Sequence, residues 1–265
     1  MHYWVQQNEL GIRDFFVTNQ KFTDFGFSKI PLADKSQKVK DLFADVASDY
    51  DLMNDLMSMG THRLWKKNFI SQLPVRSGDS ILDVAGGTGD IAIGLQQRYP
   101  HLNLSVCVCD LTHPMLTVGR DRAINNGLLR NLTWCCGDAE NLPIPDQSVD
   151  LYTIAFGLRN VTNKESALAE AVRVLKPGGQ FFCLEFSHVT APLPAKLYDW
   201  YSFSALPFLG HHIAQNKDAY QYLAESIRTF PDQETLVKMM KAAGFNGVKY
   251  ENWLNGVVSV HSGAV

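Results

Sequence analysis

Four carboxylates and one cluster of glycines carry the chemistry legible in this chain. The stretch Ser80-Ile81-Leu82-Asp83-Val84-Ala85-Gly86-Gly87-Thr88-Gly89-Asp90 is a short apolar run that ends in glycines and passes into a helical pattern, which reads as strand, tight turn, helix. Gly86, Gly87 and Gly89 open turn dihedrals closed to other residues and let a ligand approach bare backbone, with Thr88 between them and free N–H groups at the helix start. A nucleoside cofactor suits such a turn; the same residues also suit a loop that only changes direction. Two further apolar runs end in acids, Val106-Cys107-Val108-Cys109-Asp110 and Leu132-Thr133-Trp134-Cys135-Cys136-Gly137-Asp138-Ala139. Asp110 is placed to accept both ribose hydroxyls, and Asp138, followed by Ala139, to accept an adenine amino group; either acid also fits an ordinary helix cap or turn.

Charge separates the possible cofactors. Gly87-Thr88-Gly89-Asp90-Ile91-Ala92 satisfies the loose dinucleotide pattern as well, but a pyrophosphate at this helix start would meet the carboxylate of Asp90. S-adenosyl-L-methionine carries a sulfonium and an ammonium and no phosphate, so Asp83 and Asp90 favour it. A dinucleotide-dependent oxidoreductase remains the enzymatic alternative.

The elements that must position these residues alternate along the chain. Strands are expected at 80–85, 103–110, 131–137, 148–156 and 180–187, with helices at 89–98, 113–126 and 163–175, the order of a parallel, doubly wound α/β sheet. Lys176-Pro177-Gly178-Gly179 is expected to end a helix through left-handed glycine dihedrals. A helix opens at Pro231-Asp232 and closes at Gly244, and the span Val248–His261 reads as strand, Asn-Gly turn, strand. Upstream, Val39, Leu42, Phe43 and Val46 recur at helical spacing, which predicts an N-terminal helical layer over 23–75 that serves as core or as a cofactor lid. Residues 1–22 show no clean period and are expected to be an extension, loosely packed or disordered. With 265 residues and 46% hydrophobic content, 23–263 is expected to form a single domain.

Composition excludes several classes. A net charge of -3 without a basic run leaves no footprint for nucleic acid. No apolar run approaches the ~20 residues of a spanning helix, and the N-terminus lacks the order of a signal or transit peptide, so a cytoplasmic setting is expected. Five cysteines without a Cys-x-x-Cys pair and scattered histidines predict neither a disulfide framework nor a metal site.

Two stretches are far more specific than the glycine turn, Tyr50-Asp51-Leu52-Met53-Asn54-Asp55 through His62-Arg63-Leu64-Trp65-Lys66 and Phe156-Gly157-Leu158-Arg159-Asn160-Val161, and beside them stand Arg173-Val174-Leu175-Lys176-Pro177-Gly178-Gly179, Leu184-Glu185-Phe186-Ser187 and Tyr222-Leu223-Ala224-Glu225-Ser226-Ile227. On these the chain resembles the UbiE-type C-methyltransferases of ubiquinone and menaquinone biosynthesis, within the class I methyltransferases that use S-adenosyl-L-methionine. The resemblance implies a Rossmann-like seven-stranded sheet whose last strand is antiparallel. It carries the cofactor positions to Thr88, Asp110, Asp138 and Ala139, and it departs at Leu111-Thr112-His113 and at residues 1–22.

It also implies methyl transfer to a ring carbon of a polyprenylated benzoquinol or of demethylmenaquinol. Such a carbon becomes nucleophilic once an adjacent hydroxyl ionises, so a group must stabilise the phenolate or take its proton. Arg159 and Asn160 are expected to address that oxygen and Tyr50 to bond the quinol or close over the sulfonium, with His62 and His188 as candidate bases; the alternatives are a surface ion pair for Arg159 and a turn cap for Asn160. The inserted segment 190–228, rich in aromatics over 198–203 and 207–208, is expected to line a tail channel, to face a membrane peripherally, or to pack as core. Other quinone-biosynthesis enzymes are the expected protein partners, and a non-catalytic assembly subunit is the non-enzymatic alternative.

Overall fold

The computed structural model describes residues 22–45, 55, 58, 60–190 and 217–265. Its centre is a seven-stranded sheet built from β3 (Ser80–Val84), β4 (Ser105–Asp110), β5 (Leu132–Cys136), β6 (Val149–Ala155), β7 (Leu175–Phe186), β8 (Asn246–Trp253) and β9 (Val258–Ala264), in the order β5-β4-β3-β6-β7-β9-β8. The first five are mutually parallel, and β9 runs antiparallel to both β7 and β8. The chain therefore builds outward from β3 to β5, returns to the other side of β3 at β6, and leaves a crevice at the carboxyl ends of β3 and β6.

Helices cover both faces, which is why the central strands read as nearly continuous apolar runs. On one face α2 (His62–Gln72), α3 (Asp90–Arg98), α4 (His113–Asn125) and α6 (Lys217–Thr229) pack Phe69, Leu95, Leu116 and Leu223 onto Ile81, Val106 and Val260. On the other, α5 (Lys164–Val174) and α7 (Gln233–Ala243) pack Leu168, Ala171 and Met240 onto Leu82, Ile154 and Phe181. Alternation along the strand assigns Ile81 to one layer and Leu82 and Val84 to the other. Helix α7 starts and stops where the sequence predicts: the side chain of Asp232 accepts from Thr235 N at 2.7 Å, and Gly244 closes it at φ 112°.

Two local expectations need correction. The N-terminal layer is not wholly helical, because β1 (Phe22–Phe25) and β2 (Ser28–Pro31) form an antiparallel hairpin before α1 (Leu32–Asp45). A long-range contact decides this: Phe27 N donates to Glu225 Oε2 at 2.9 Å and Phe25 stacks on Tyr222 with centroids 4.3 Å apart. Nor do Lys176-Pro177-Gly178-Gly179 cap α5. The helix ends as Leu175 becomes extended (φ -71°, ψ 136°), and the four residues lie within β7, where Gly178 at φ +82° accompanies the register shift between Val149↔Leu175 and Leu151↔Gln180. The expected extension, except Phe22, and nearly all of the insertion between 190 and 217 lie outside the described residues.

Candidate active site

The crevice at the ends of β3 and β6 is a cleft of about 740 Å³, part of it open to solvent. Ala85 and Gly87 line it from the turn after β3, Asp110 to Thr112 from the end of β4, Asp138 and Ala139 after β5, and Phe156, Gly157 and Asn160 after β6. Ala85 and Phe156 occupy equivalent places past their strands, and both hold left-handed backbone, φ 50° and 56°, which non-glycine residues adopt only where the surroundings enforce it.

The glycine turn is required by space. A Cβ on Gly86 would stand 2.7 Å from Val108 Cγ1 and 2.8 Å from Asp83 Oδ2, and one on Gly89, at φ +77°, would stand 2.6 Å from the ring of Trp134. Asp110 accepts Gly87 N at 2.9 Å on one oxygen and Thr112 N at 2.8 Å on the other, so each oxygen is fixed and keeps a lone pair for a ligand hydroxyl. Burial raises its carboxyl above the usual range, against those two bonds. Asp138 sits in a turn, its side chain accepting Glu140 N at 2.9 Å and its carbonyl Asn141 N at 3.0 Å; it is a turn residue and a cleft residue at once. Thr88 is buried and Gly86, Gly89 and Asp83 lie behind the lining.

Asp83 is 1% exposed; its Oδ1 accepts Thr153 Oγ1 at 2.8 Å, while Oδ2 is buried without a hydrogen-bond partner. Burial pushes this carboxyl up to about 7. Asp90 behaves oppositely. Lys66 Nζ and Arg122 Nη1 each lie 2.6 Å from it and hold it down at about 2, despite burial. Its charge is balanced within the fold, so it neither repels a pyrophosphate nor attracts a sulfonium as the sequence suggests.

Arg159 is neither on the surface nor among the residues that line the cleft. It is 5% exposed, with Nη1 donating to Glu185 Oε1 at 2.7 Å and to Phe156 O at 2.5 Å, and its guanidinium carbon 5.5 Å from the centre of the Phe186 ring. Its neighbour Asn160 does line the cleft. Tyr222 donates to Asn160 Oδ1 at 3.2 Å, which orients the amide and leaves its N–H groups for a ligand. Tyr50 lies outside the described residues. His62 is buried with Nε2 2.9 Å from Asp55, and burial lowers its pKa; His188 Nε2 meets Phe230 O at 2.9 Å. Neither candidate base lines the cleft, whose titratable lining groups among the described residues are Asp110, Asp138 and Glu140.

Val39 and Phe43, read from sequence as core or cofactor lid, close the cleft from α1 together with Ser36, and sequence reasoning gave no role to Ser36 or Glu185. Helical spacing puts Ser36, Val39 and Phe43 on one face, but where that face docks is tertiary information. Glu185 did leave a signal, since a single carboxylate in the apolar run of β7 needs a buried cation.

The unpartnered Asp83 Oδ2 and the two pinned oxygens of Asp110, which lines the cleft, together fit a cationic nucleoside, S-adenosyl-L-methionine. The fold and this site define a class I methyltransferase. Solved structures share the architecture: a SAM-dependent methyltransferase from Thermotoga maritima superposes with a TM-score of 0.60 at 20% identity, over 84% of this chain and 98% of that one. Another, from Aquifex aeolicus, gives 0.57 at 16%, over 84% and 98%. In sequence, residues 32–265 match the model of the ubiE/COQ5 methyltransferase family. The ubiquinone/menaquinone biosynthesis C-methyltransferase UbiE of Hydrogenovibrio crunogenus is 52% identical over 245 residues, 92% of this chain and 96% of its own length. Its namesake in Francisella tularensis subsp. novicida is 51% identical over 243 residues, 92% and 97% of the two chains. The chain belongs to the ubiE/COQ5 methyltransferase family and is a methyltransferase that uses S-adenosyl-L-methionine.

Proposed function

We propose that this enzyme methylates a ring carbon of a polyprenyl benzoquinol, of demethylmenaquinol, or of both, as the names of its relatives indicate. The observation that supports it is the division of the cleft: pinned carboxylates on one side, and on the other the oriented amide of Asn160 among Val39, Phe43, Phe156 and Val161. S-adenosyl-L-methionine, when bound, supplies an electrophilic methyl group. Asp110 holds the ribose, Asp138 and Ala139 address the adenine, and buried Asp83 offers charge to the cationic end. Asn160 donates to the quinol oxygen that ionises, and the apolar wall keeps water from it. Arg159 acts through position: paired with Glu185, it also donates to Phe156 O and so holds the Phe156–Asn160 turn that presents Asn160 to the cleft. Tyr50, outside the described residues, is assigned by the resemblance of its motif to bond the quinol or close over the sulfonium.

A polyprenyl tail brings the working enzyme to a membrane surface, on the cytoplasmic side and among other quinone-biosynthesis enzymes. Among the described residues no helix is long and apolar enough to cross a membrane. The test is incubation with S-adenosyl-L-methionine and a short-tailed demethylated quinol, read by product mass. A gain of one methyl group on carbon is expected. Binding of S-adenosyl-L-methionine without product supports a non-catalytic subunit, and binding of NADH in its place supports the oxidoreductase.

A further inference from the structure

Outside the cleft, the strongest unassigned feature lies on α2, within the specific motif Thr61-His62-Arg63-Leu64-Trp65-Lys66-Lys67. His62, Trp65 and Lys66 turn inward and are buried, while Arg63, Leu64 and Lys67 are exposed. The cleft uses none of these three. Their side of α2 forms, with α3, a groove of about 980 Å³ whose charged lining among the described residues is Arg63, Lys66, Lys67, Arg98 and Arg122 against Asp90. Five cations and one acid meet here in a chain whose net charge is -3.

The groove does not stand alone. Lys67 and Arg98 also line an adjoining shelf with Leu64, Trp65, Trp253 and Leu254. Leu64 is 66% and Leu254 60% exposed. Among the described residues the acids nearby are engaged: Asp90 with Lys66 and Arg122, Asp55 with Arg63, and Glu251 with Gln72 and Trp253. A soluble anion would need the basic groove alone. Exposed leucines and a half-buried tryptophan beside long basic side chains suit a headgroup and the first carbons of an acyl chain, with the stems of Lys67 and Arg98 lying along apolar surface.

We propose that the exposed side of α2, with Arg98 and the turn after β8, docks the enzyme on an anionic phospholipid surface through phosphate contacts to Lys67 and Arg98 and insertion of Leu64 and Leu254. This deepens the quinol reading and rests on it, since only a lipid acceptor gives an enzyme of this class reason to sit on a membrane. Gly87 lines the cleft and Asp90 the groove, so the glycine turn separates the two sites and either can be altered alone.

The test is co-sedimentation of the full chain with vesicles of phosphatidylcholine containing roughly one third phosphatidylglycerol, set against phosphatidylcholine alone. The wild type should partition preferentially to the anionic vesicles. Lys67→Gln/Arg98→Gln should weaken that partition roughly 30-fold, about fivefold for each cation removed. Leu64→Ser/Leu254→Ser should still bind at low salt but detach at about 0.3 M salt, where screening leaves insertion as the holding force. Affinity for S-adenosyl-L-methionine and turnover of a short-tailed quinol, measured on the same proteins, should not change. Equal partition to both vesicle types, or unchanged partition in the charge variant, overturns the proposal. So does a rise in melting temperature with glycerol phosphate when vesicles fail to bind, which would make the groove a small-anion site. Lost vesicle binding with intact turnover refutes this inference only; vesicle binding without turnover refutes the quinol reading.

Discussion

Replacing Arg159 by alanine should destabilise the fold severely. The guanidinium and the Glu185 carboxylate are 3% and 0% exposed, and no water can take over either charge. Removing Arg159 leaves Glu185 with two backbone donors, Phe186 N at 2.9 Å and residue 159's own N at 3.3 Å. Breaking a buried pair from one side costs about 3–5 kcal/mol, because the surviving charge stays buried. At about 2–4 °C per kcal/mol for a domain of this size, the melting temperature should fall by roughly 6–20 °C. Arg159→Met/Glu185→Gln removes both charges yet keeps an oxygen for Phe186 N, and it should recover more than half of the loss. Thermal unfolding of the wild type, Arg159→Met, Glu185→Gln and the double variant gives the coupling directly, and turnover of the double variant reports whether the cation also serves the reaction. An Arg159→Ala protein melting within about 2 °C of wild type would refute the buried pair and free the guanidinium to reach the acceptor.

Asp110→Ala should weaken S-adenosyl-L-methionine binding by roughly 1.5–3 kcal/mol, read by calorimetry; an unchanged dissociation constant would leave Asp110 only its bonds to Gly87 and Thr112. Asp83 predicts a pH dependence of stability. Its carboxyl sits at about 7 when folded against an ordinary 3.8, so between these values the native state binds a proton the unfolded chain lacks. That contribution is fully present below about 4 and lost as pH rises through 7, up to ~4 kcal/mol at ~1.36 kcal/mol per pKa step. Asp83→Asn should therefore gain stability relative to wild type from pH 5 to pH 8, and a constant difference in denaturation midpoint would refute the burial argument. Gly89→Ala should cost at least about 2 kcal/mol, combining a left-handed backbone with the 2.6 Å approach to Trp134; a near-neutral effect in urea unfolding would mean that the ring shifts freely.

The residues themselves determined the sheet and one edge of the site. Apolar runs of strand length, each ending in glycine or an acid and each followed by a helical period, permit little besides a parallel sheet with its ligand at the carboxyl ends, and Asp110 and Asp138 do reach the cleft there. The Asn-Gly turn before β9 announced the antiparallel strand, because its left-handed residues close a hairpin. Local sequence could not say which partner each charge would meet. Asp90 and Arg159 look alike in sequence, each a lone charge at the mouth of an element, yet tertiary packing brings Lys66 and Arg122 to the first from 24 and 32 residues away and Glu185 to the second from 26. Secondary structure depends on spacing along the chain, which the sequence states outright. The electrostatics of a site depend on distances between remote segments and on the water excluded between them, and these exist only once the helices have docked.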